Sequence, residues 1–307
     1  MTQRRPPGRW VTAGNSQIHV HCGGVDTTAA TVVLEAGLGG CSTSWTRVIA
    51  LIAPHARVVA YDRAGHGHST NPHTATPRTP IQVATQLRDA LSAAVIPGPY
   101  VLVGHSAGAI YCHAFAAAYP HDIAGLVMVD PSLPPTSDGS ALRRWMLPLT
   151  QPVTCAAITR LTRQRPGPRP PTVADTARRH DSRSEWAQAK TWLAMLRETR
   201  GFAHTHRPSR TTAADLPVVV ITQAPPHATG GIAAHAWQRL AASHHTLTGP
   251  APRSRHLYAT YAGHTIPTQE PQVVADAIRH LLDHHEPGHS GLRPRAIAAA
   301  ADEPSVA

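Results

Sequence analysis

The sequence predicts an α/β fold: a mostly parallel central sheet with helices on both faces, and a helical block inserted into it. Three observations carry that prediction. Short β-branched runs, apolar throughout, alternate with longer Ala-rich stretches between residues 10 and 130. Runs of this kind belong in a parallel sheet covered on both faces, because a sheet with one wet face would alternate polar and apolar side chains. The alternation stops in a stretch rich in Pro and Arg between 131 and 214, and it resumes from 215 to 284. Residues 10–130 and 215–284 therefore read as the α/β core and 131–214 as an inserted helical lid. Residues 285–307 lack a strong apolar period and read as a largely disordered tail.

Residues 10–13 and 17–22 form an expected hairpin around Gly14-Asn15, a dipeptide suited to a tight turn. A strand follows at 31–35, then the turn Gly37-Leu38-Gly39-Gly40 and a helix at 44–53. Strand 57–61 leads to a helix over 81–95, where Ile81, Ala84, Leu87 and Leu91 recur at helical spacing. Strand 100–103, a helix over 107–118 stopped by Tyr119-Pro120, and strand 123–129 follow. Helical patches within the insertion fall at 142–161 and 184–199. Strand 216–222, helix 231–242, strand 256–261 and helix 271–282 close the core.

Composition excludes several classes. Hydrophobic residues make up 42% of the 307-residue chain, enough for a sizeable core, but aromatics at 5% leave Val, Leu, Ile and Ala to fill it. No run approaches the roughly 18 apolar residues of a membrane span. The first ten residues hold arginine and proline without an apolar stretch, so no export signal is expected and the expected location is cytoplasmic. Cys22, Cys41, Cys112 and Cys155 show no paired spacing and are expected as free, buried thiols. The formal charge of +10 invites a nucleic-acid reading, yet Lys190 is the single lysine and the arginines are dispersed, apart from a loose concentration between 143 and 210. With no basic stripe and no recognisable motif, neither nucleic acid nor membrane is expected as a partner.

The chemistry is carried by Gly104-His105-Ser106-Ala107-Gly108. The motif directly follows an expected strand and directly precedes an expected helix, the strand–turn–helix context of a nucleophile elbow. A serine on so tight a turn is held in a strained conformation, so its neighbours must be small; Gly104 and Gly108 leave room for strand and helix to meet. The helix N-terminus behind Ser106 offers free N–H groups and a dipole that favour a developing anion. The bland alternative is a glycine turn in some other doubly wound fold.

Three further segments argue against that alternative, and with them the chain resembles the α/β-hydrolase superfamily, in particular its lid-bearing serine hydrolases, over about 17–130 and 216–284. Val33-Leu34-Glu35-Ala36-Gly37-Leu38-Gly39-Gly40 resembles the oxyanion loop, with Ala36-Gly37 where many relatives have His-Gly. Tyr61-Asp62-Arg63-Ala64-Gly65-His66-Gly67-His68-Ser69 is similar to the loop after the fourth strand. Tyr261-Ala262-Gly263-His264 resembles the Gly-His that presents the catalytic histidine. The resemblance implies Ser106 as nucleophile, His264 as general base, and the backbone N–H groups of Leu38 and Ala107 as the oxyanion hole. Backbone donors explain how Ala36 can stand where relatives have histidine. Relatives commonly place the acid after the strand corresponding to 216–222, but no Asp or Glu lies between Asp215 and Glu270. Some members use a carboxylate at the end of the preceding strand, where Asp130 stands. With no rival at the usual position Asp130 is the expected acid, although Asp130 before Pro131 also suits a plain turn.

Other polar residues receive structural readings: Glu35 as a carboxylate bonded to nearby backbone, Asp62 and Asp215 as structural acids. Among 22 histidines, His105 is expected below the elbow and His66 and His68 as polar loop residues. His244, His245 and His256 compete with His264, but none follows a glycine. The pairs His19/His21 and His204/His206 lack a third ligand at a telling spacing, so no metal is expected, and the chemistry needs no cofactor. Trp145, Met146, Leu147, Trp192, Leu193, Met195 and Leu196 either line an apolar pocket or seat the lid. The expected function is cleavage of a carboxylic ester, lactone or thioester of a small molecule, falling on acidification as a histidine base becomes protonated. The same scaffold also suits an acyltransferase, a carbon–carbon bond-cleaving enzyme, or a binding protein that retains the triad.

Overall fold

The computed structural model describes residues 8–26, 30–70, 76–132, 189–202, 216–226, 231–248, 251 and 253–283. The expected tail, the helical patch at 142–161, Trp145, Met146, Leu147, Cys155, His204, His206 and Asp215 lie outside the described residues. Eight strands, β1 (Arg9–Ala13), β2 (Ser16–Gly23), β3 (Thr31–Glu35), β4 (Val58–Tyr61), β5 (Tyr100–His105), β6 (Ile123–Val129), β7 (Val218–Thr222) and β8 (Arg255–Tyr258), form one sheet. Their order is β1-β2-β4-β3-β5-β6-β7-β8. The β1–β2 and β2–β4 pairs are antiparallel and every other pair is parallel. The described helices are α1 (Thr46–Ile52), α2 (Pro80–Ala93), α3 (Ala107–Ala118), α4 (Ala189–Phe202), α5 (Gly231–His245), α6 (Ile266–Gln269) and α7 (Pro271–Asp283).

Every residue of β3, β4, β6 and β7 is buried. Successive side chains point to opposite faces, so the strands feed two cores. Val32, Leu34, Val101 and Val127 pack with Trp45, Ile52, Val274 and Ile278. Val33, Leu102, Leu126 and Val220 pack with Leu87, Leu91, Cys112 and Phe115 on the other face. Each such aliphatic side chain contributes about 1.5–3 kcal/mol over leaving it exposed. The C-terminal ends of this rigid centre position the site.

Three details depart from expectation. Helix α2 starts one residue earlier, because Thr79 and Gln82 form a reciprocal cap (Thr79 N–H to Gln82 Oε1 2.9 Å, Gln82 N–H to Thr79 Oγ1 3.4 Å) with Pro80 in the first turn. Its buried stripe is Val83, Ala84, Leu87, Ala90 and Leu91, which leaves Ile81 47% exposed rather than on the core face. Cys22 lies on the exposed side of β2, whereas Cys41 and Cys112 are buried; among the described residues none of the three forms a disulfide. On α4, Ala194 and Met195 are buried but Leu193 is exposed. Among the described residues no helix is long and apolar enough to cross a membrane.

Strand β8 ends at Tyr258, three residues short of the expected limit, because a carboxylate replaces a strand partner. The N–H groups of Thr260, Tyr261 and Ala262 all donate to Glu270, at 2.9–3.2 Å. Burial pushes the Glu270 carboxyl up, but these donors outweigh it and hold it below its ordinary value. Because the folded value is depressed, its stabilisation is complete above about pH 4.3 and is lost as pH falls through the folded value. Glu270→Gln is expected to cost about 1–3 kcal/mol in urea denaturation at pH 7. Equal stability of the two proteins there would mean that the three N–H groups find other partners.

Candidate active site

Strand β5 ends at His105 and α3 begins at Ala107, leaving Ser106 to make the bend. Its φ of 53° and ψ of −121° lie where residues with side chains are rarely found, so the surroundings must impose them. A Cβ on Gly104 would sit 2.7 Å from the Ala109 backbone, and one on Gly108 would sit 2.4 Å from the Glu35 carbonyl oxygen. Both glycines are therefore required by close approach. The Ser106 N–H donates to the Val129 carbonyl at 3.0 Å, tying the bend to the end of β6.

The structure brings Ser106, His264 and Asp130 together. Ser106 Oγ lies 3.0 Å from His264 Nε2, and His264 Nδ1 lies 2.6 Å from Asp130 Oδ2. Asp130 is buried at the end of β6; its N–H donates to the Ile221 carbonyl at 2.7 Å and its Oδ1 accepts from Gln223 N–H at 3.1 Å. Burial pushes its carboxyl up, but the His264 hydrogen bond, the electrostatic pull of His264 and the Gln223 N–H outweigh burial and hold it below the usual value. An ionised carboxylate only accepts, so His264 Nδ1 carries a proton toward it and Nε2 is left as acceptor for the Ser106 hydroxyl.

His105 fits the expected place under the bend. Its Nε2–H donates to the His264 carbonyl at 2.7 Å, and its ring lies 4.9 Å from the His264 ring. Burial, with the neighbouring His264 adding to it, lowers its pKa to about 4, so it is neutral at physiological pH. The competing histidines do different work. His244 is buried, with Nδ1 on Thr222 Oγ1 at 2.8 Å and Nε2 donating to the Pro131 carbonyl at 2.9 Å, and His256 Nε2 bonds the same Thr222 hydroxyl at 2.7 Å. Asp62 accepts from the Ser42 and His68 N–H groups at 2.8 and 2.9 Å and bonds the His19 ring at 3.1 Å. Among the described residues no group of three or more His, Cys, Asp or Glu stands together as a metal site would require.

Ala107 opens α3, so its N–H belongs to the first helical turn, whose donors lack partners within the helix. The loop bearing Leu38 runs against Ser106: a Cβ on Gly37 would lie 3.3 Å from Ser106 Cβ. That loop is braced from below by Arg63, which donates to the carbonyls of Ala36 (2.6 Å) and Gly37 (2.8 Å). Arg63 is itself fully buried. It pairs with Glu35 and, at 3.1 Å, with Glu198 on α4. Arg78, His66 and the Tyr111 hydroxyl also bond Glu198, at 3.4, 3.1 and 3.1 Å.

One reading is corrected here. Glu35 is bonded not to nearby backbone but to the Tyr61 hydroxyl and Arg63, because both residues close the same buried pocket at the ends of β3 and β4. His66 lies in the loop after β4, as expected, and is wholly buried against Glu198, while His68 is exposed. Sequence reasoning also missed Arg63, Glu198, Glu270 and Ser132, whose hydroxyl lies 3.3 Å from Ser106 Oγ. Arg63 adjoins Asp62 in a quoted motif and Ser132 follows Asp130 by two, so proximity in sequence marked those two. Nothing local marks Glu198, whose partners lie 87 or more residues away.

The model of the Alpha/beta hydrolase family matches residues 32–277. Uncharacterized protein YqjL of Bacillus subtilis is 37% identical over 107 residues, covering 35% of this chain and 42% of that protein. The chain thus spans less than half the length of this relative. Among solved structures, a thermophilic esterase from Thermogutta terrifontis superposes with a TM-score of 0.62 at 19% identity, covering 92% of this chain and 100% of that one. The enol-lactonase from Burkholderia xenovorans superposes with a TM-score of 0.62 at 18% identity, covering 89% and 99%. A family match across most of the sheet, joined to the bend at Ser106 and its two partners, makes this chain a member of the alpha/beta hydrolase family.

Proposed function

We propose that the protein is a serine hydrolase that cleaves a carboxylic ester, lactone or thioester of a small molecule through an acyl-enzyme on Ser106. The observation that carries this reading is the unbroken hydrogen-bonded chain Ser106–His264–Asp130, with Ser106 raised on a strained bend. His264 takes the Ser106 proton as Oγ attacks the carbonyl carbon, and the N–H groups of Leu38 and Ala107 hold the oxyanion. Each such donor is worth about 2.7–4 kcal/mol in the transition state. Asp130 fixes the imidazole tautomer and steadies its positive charge. His264 returns the proton to the leaving group, then activates water, which releases the acyl group. An esterase and an enol-lactonase among proteins of like fold support the substrate class.

A fluorophosphonate probe is expected to label Ser106 stoichiometrically, as read by peptide mass spectrometry, and an ester panel of varied acyl length is expected to yield free acid. Acid release with no gain of new ester when an alcohol is added distinguishes hydrolysis from acyl transfer. Absence of both labelling and turnover would favour a binding protein and end the proposal.

A further inference from the structure

We infer that Ser132 is a second catalytic hydroxyl, which donates to Ser106 Oγ and speeds release of the acyl group rather than its capture. The inference rests on the serine-hydrolase reading above. Proton bookkeeping sets its direction. Asp130 as carboxylate only accepts, so His264 Nδ1–H is spent on it, and Nε2 then accepts the single Ser106 proton. Ser106 has no further hydrogen to give. In the remaining contact, 3.3 Å between the two hydroxyl oxygens, Ser132 must therefore be the donor.

The position is built by the backbone. The Ser132 N–H donates to the Ser106 carbonyl at 3.0 Å, and buried His244 donates to the Pro131 carbonyl at 2.9 Å. The tripeptide Asp130-Pro131-Ser132 thus serves Ser106 twice, once through His264 and once directly.

The two stages differ in what this bond gains. Before acylation Ser106 Oγ is a hydroxyl oxygen, already a good acceptor, so the Ser132 hydrogen bond exists in the ground state and changes little during attack. In the acyl-enzyme the same oxygen is conjugated into an ester and accepts poorly. Water then adds to the acyl carbon and gives its proton to His264 Nε2. The C–Oγ bond breaks, its electron pair returns to Oγ, and Nε2–H delivers the proton there. Oγ grows more basic at every point of that path, so the Ser132 bond strengthens toward the transition state, and only such strengthening accelerates a step.

The test uses p-nitrophenyl acetate with excess enzyme, where nitrophenolate release reports acylation and mass spectrometry follows decay of acetylated Ser106. Ser132→Ala, which leaves the backbone tie intact, is expected to acylate within about threefold of wild type and to lose acetyl about tenfold more slowly. Ser132→Thr, which keeps the hydroxyl, is expected to restore the decay. Unchanged decay in Ser132→Ala, or acylation and decay slowed by the same factor, would overturn the inference while leaving Ser106 as nucleophile. Wild-type protein that never carries acetyl on Ser106 would instead overturn the underlying reading, and this inference with it.

Discussion

Ser106→Ala is expected to lower kcat about a millionfold, and Ser106→Ala combined with His264→Ala scarcely further, because nucleophile and base act as one unit. The attacking oxygen Oγ is removed in the first case, and in His264→Ala no group within reach can take its proton, since His105 is engaged with the residue-264 carbonyl and His244 with Pro131. Asp130→Asn is expected to cost about ten-thousandfold by another route. An amide can present its NH2 to the imidazole, favouring the tautomer with a proton on Nε2, which then faces Ser106 with a donor where an acceptor is needed. Ester turnover measures all three, and unchanged thermal unfolding shows that the loss is chemical. Additive losses in the double variant would mean that Ser106 and His264 act separately. Full activity in Asp130→Asn would mean that another carboxylate orients His264.

The second large effect is structural. Glu198→Ala is expected to destabilise the protein by about 3–5 kcal/mol, because it leaves a buried charge uncompensated. Arg63 and Arg78 are both buried, and they share two glutamates, Glu35 and Glu198. Burial opposes ionisation of Glu198, but Arg63, His66 and Arg78 hold its carboxyl far below the ordinary range, so it stands as an anion. Removing it strands two guanidinium groups against one carboxylate. Glu198→Gln, which keeps two polar atoms in the pocket, is expected to lose less. Urea denaturation measures both; a loss under about 1 kcal/mol for Glu198→Ala, the scale of an exposed pair, would mean that water reaches the pocket.

The legible parts of the molecule are those where one stretch of chain decides the outcome. Apolar runs marked β3, β5 and β6 because both faces of a central strand demand the same kind of side chain. The bend at Ser106 was legible because two glycines and a flanking strand and helix are all local. Asp130 was reachable only through the family resemblance, once no acid was found between 216 and 269, and the fold brings it to His264. The rest depends on meetings between distant segments. An isolated Glu in an Arg-rich stretch reads as a solvated surface charge, and nothing near Glu198 says that Arg63, 135 residues earlier, will need it. Ile81 misled for a smaller reason: a cap at Thr79 and Gln82 sets where α2 begins, and the buried stripe takes in Val83 instead.

Glu198 also constrains how the protein can be rebuilt. It sits on α4, yet the residue it neutralises braces the loop against the nucleophile. A chimera that imports the intervening segment from another protein should therefore splice ahead of Ala189 and retain the native helix. A graft carried through to 214 would remove the counterion of Arg63 and loosen the loop that Arg63 braces beside Ser106.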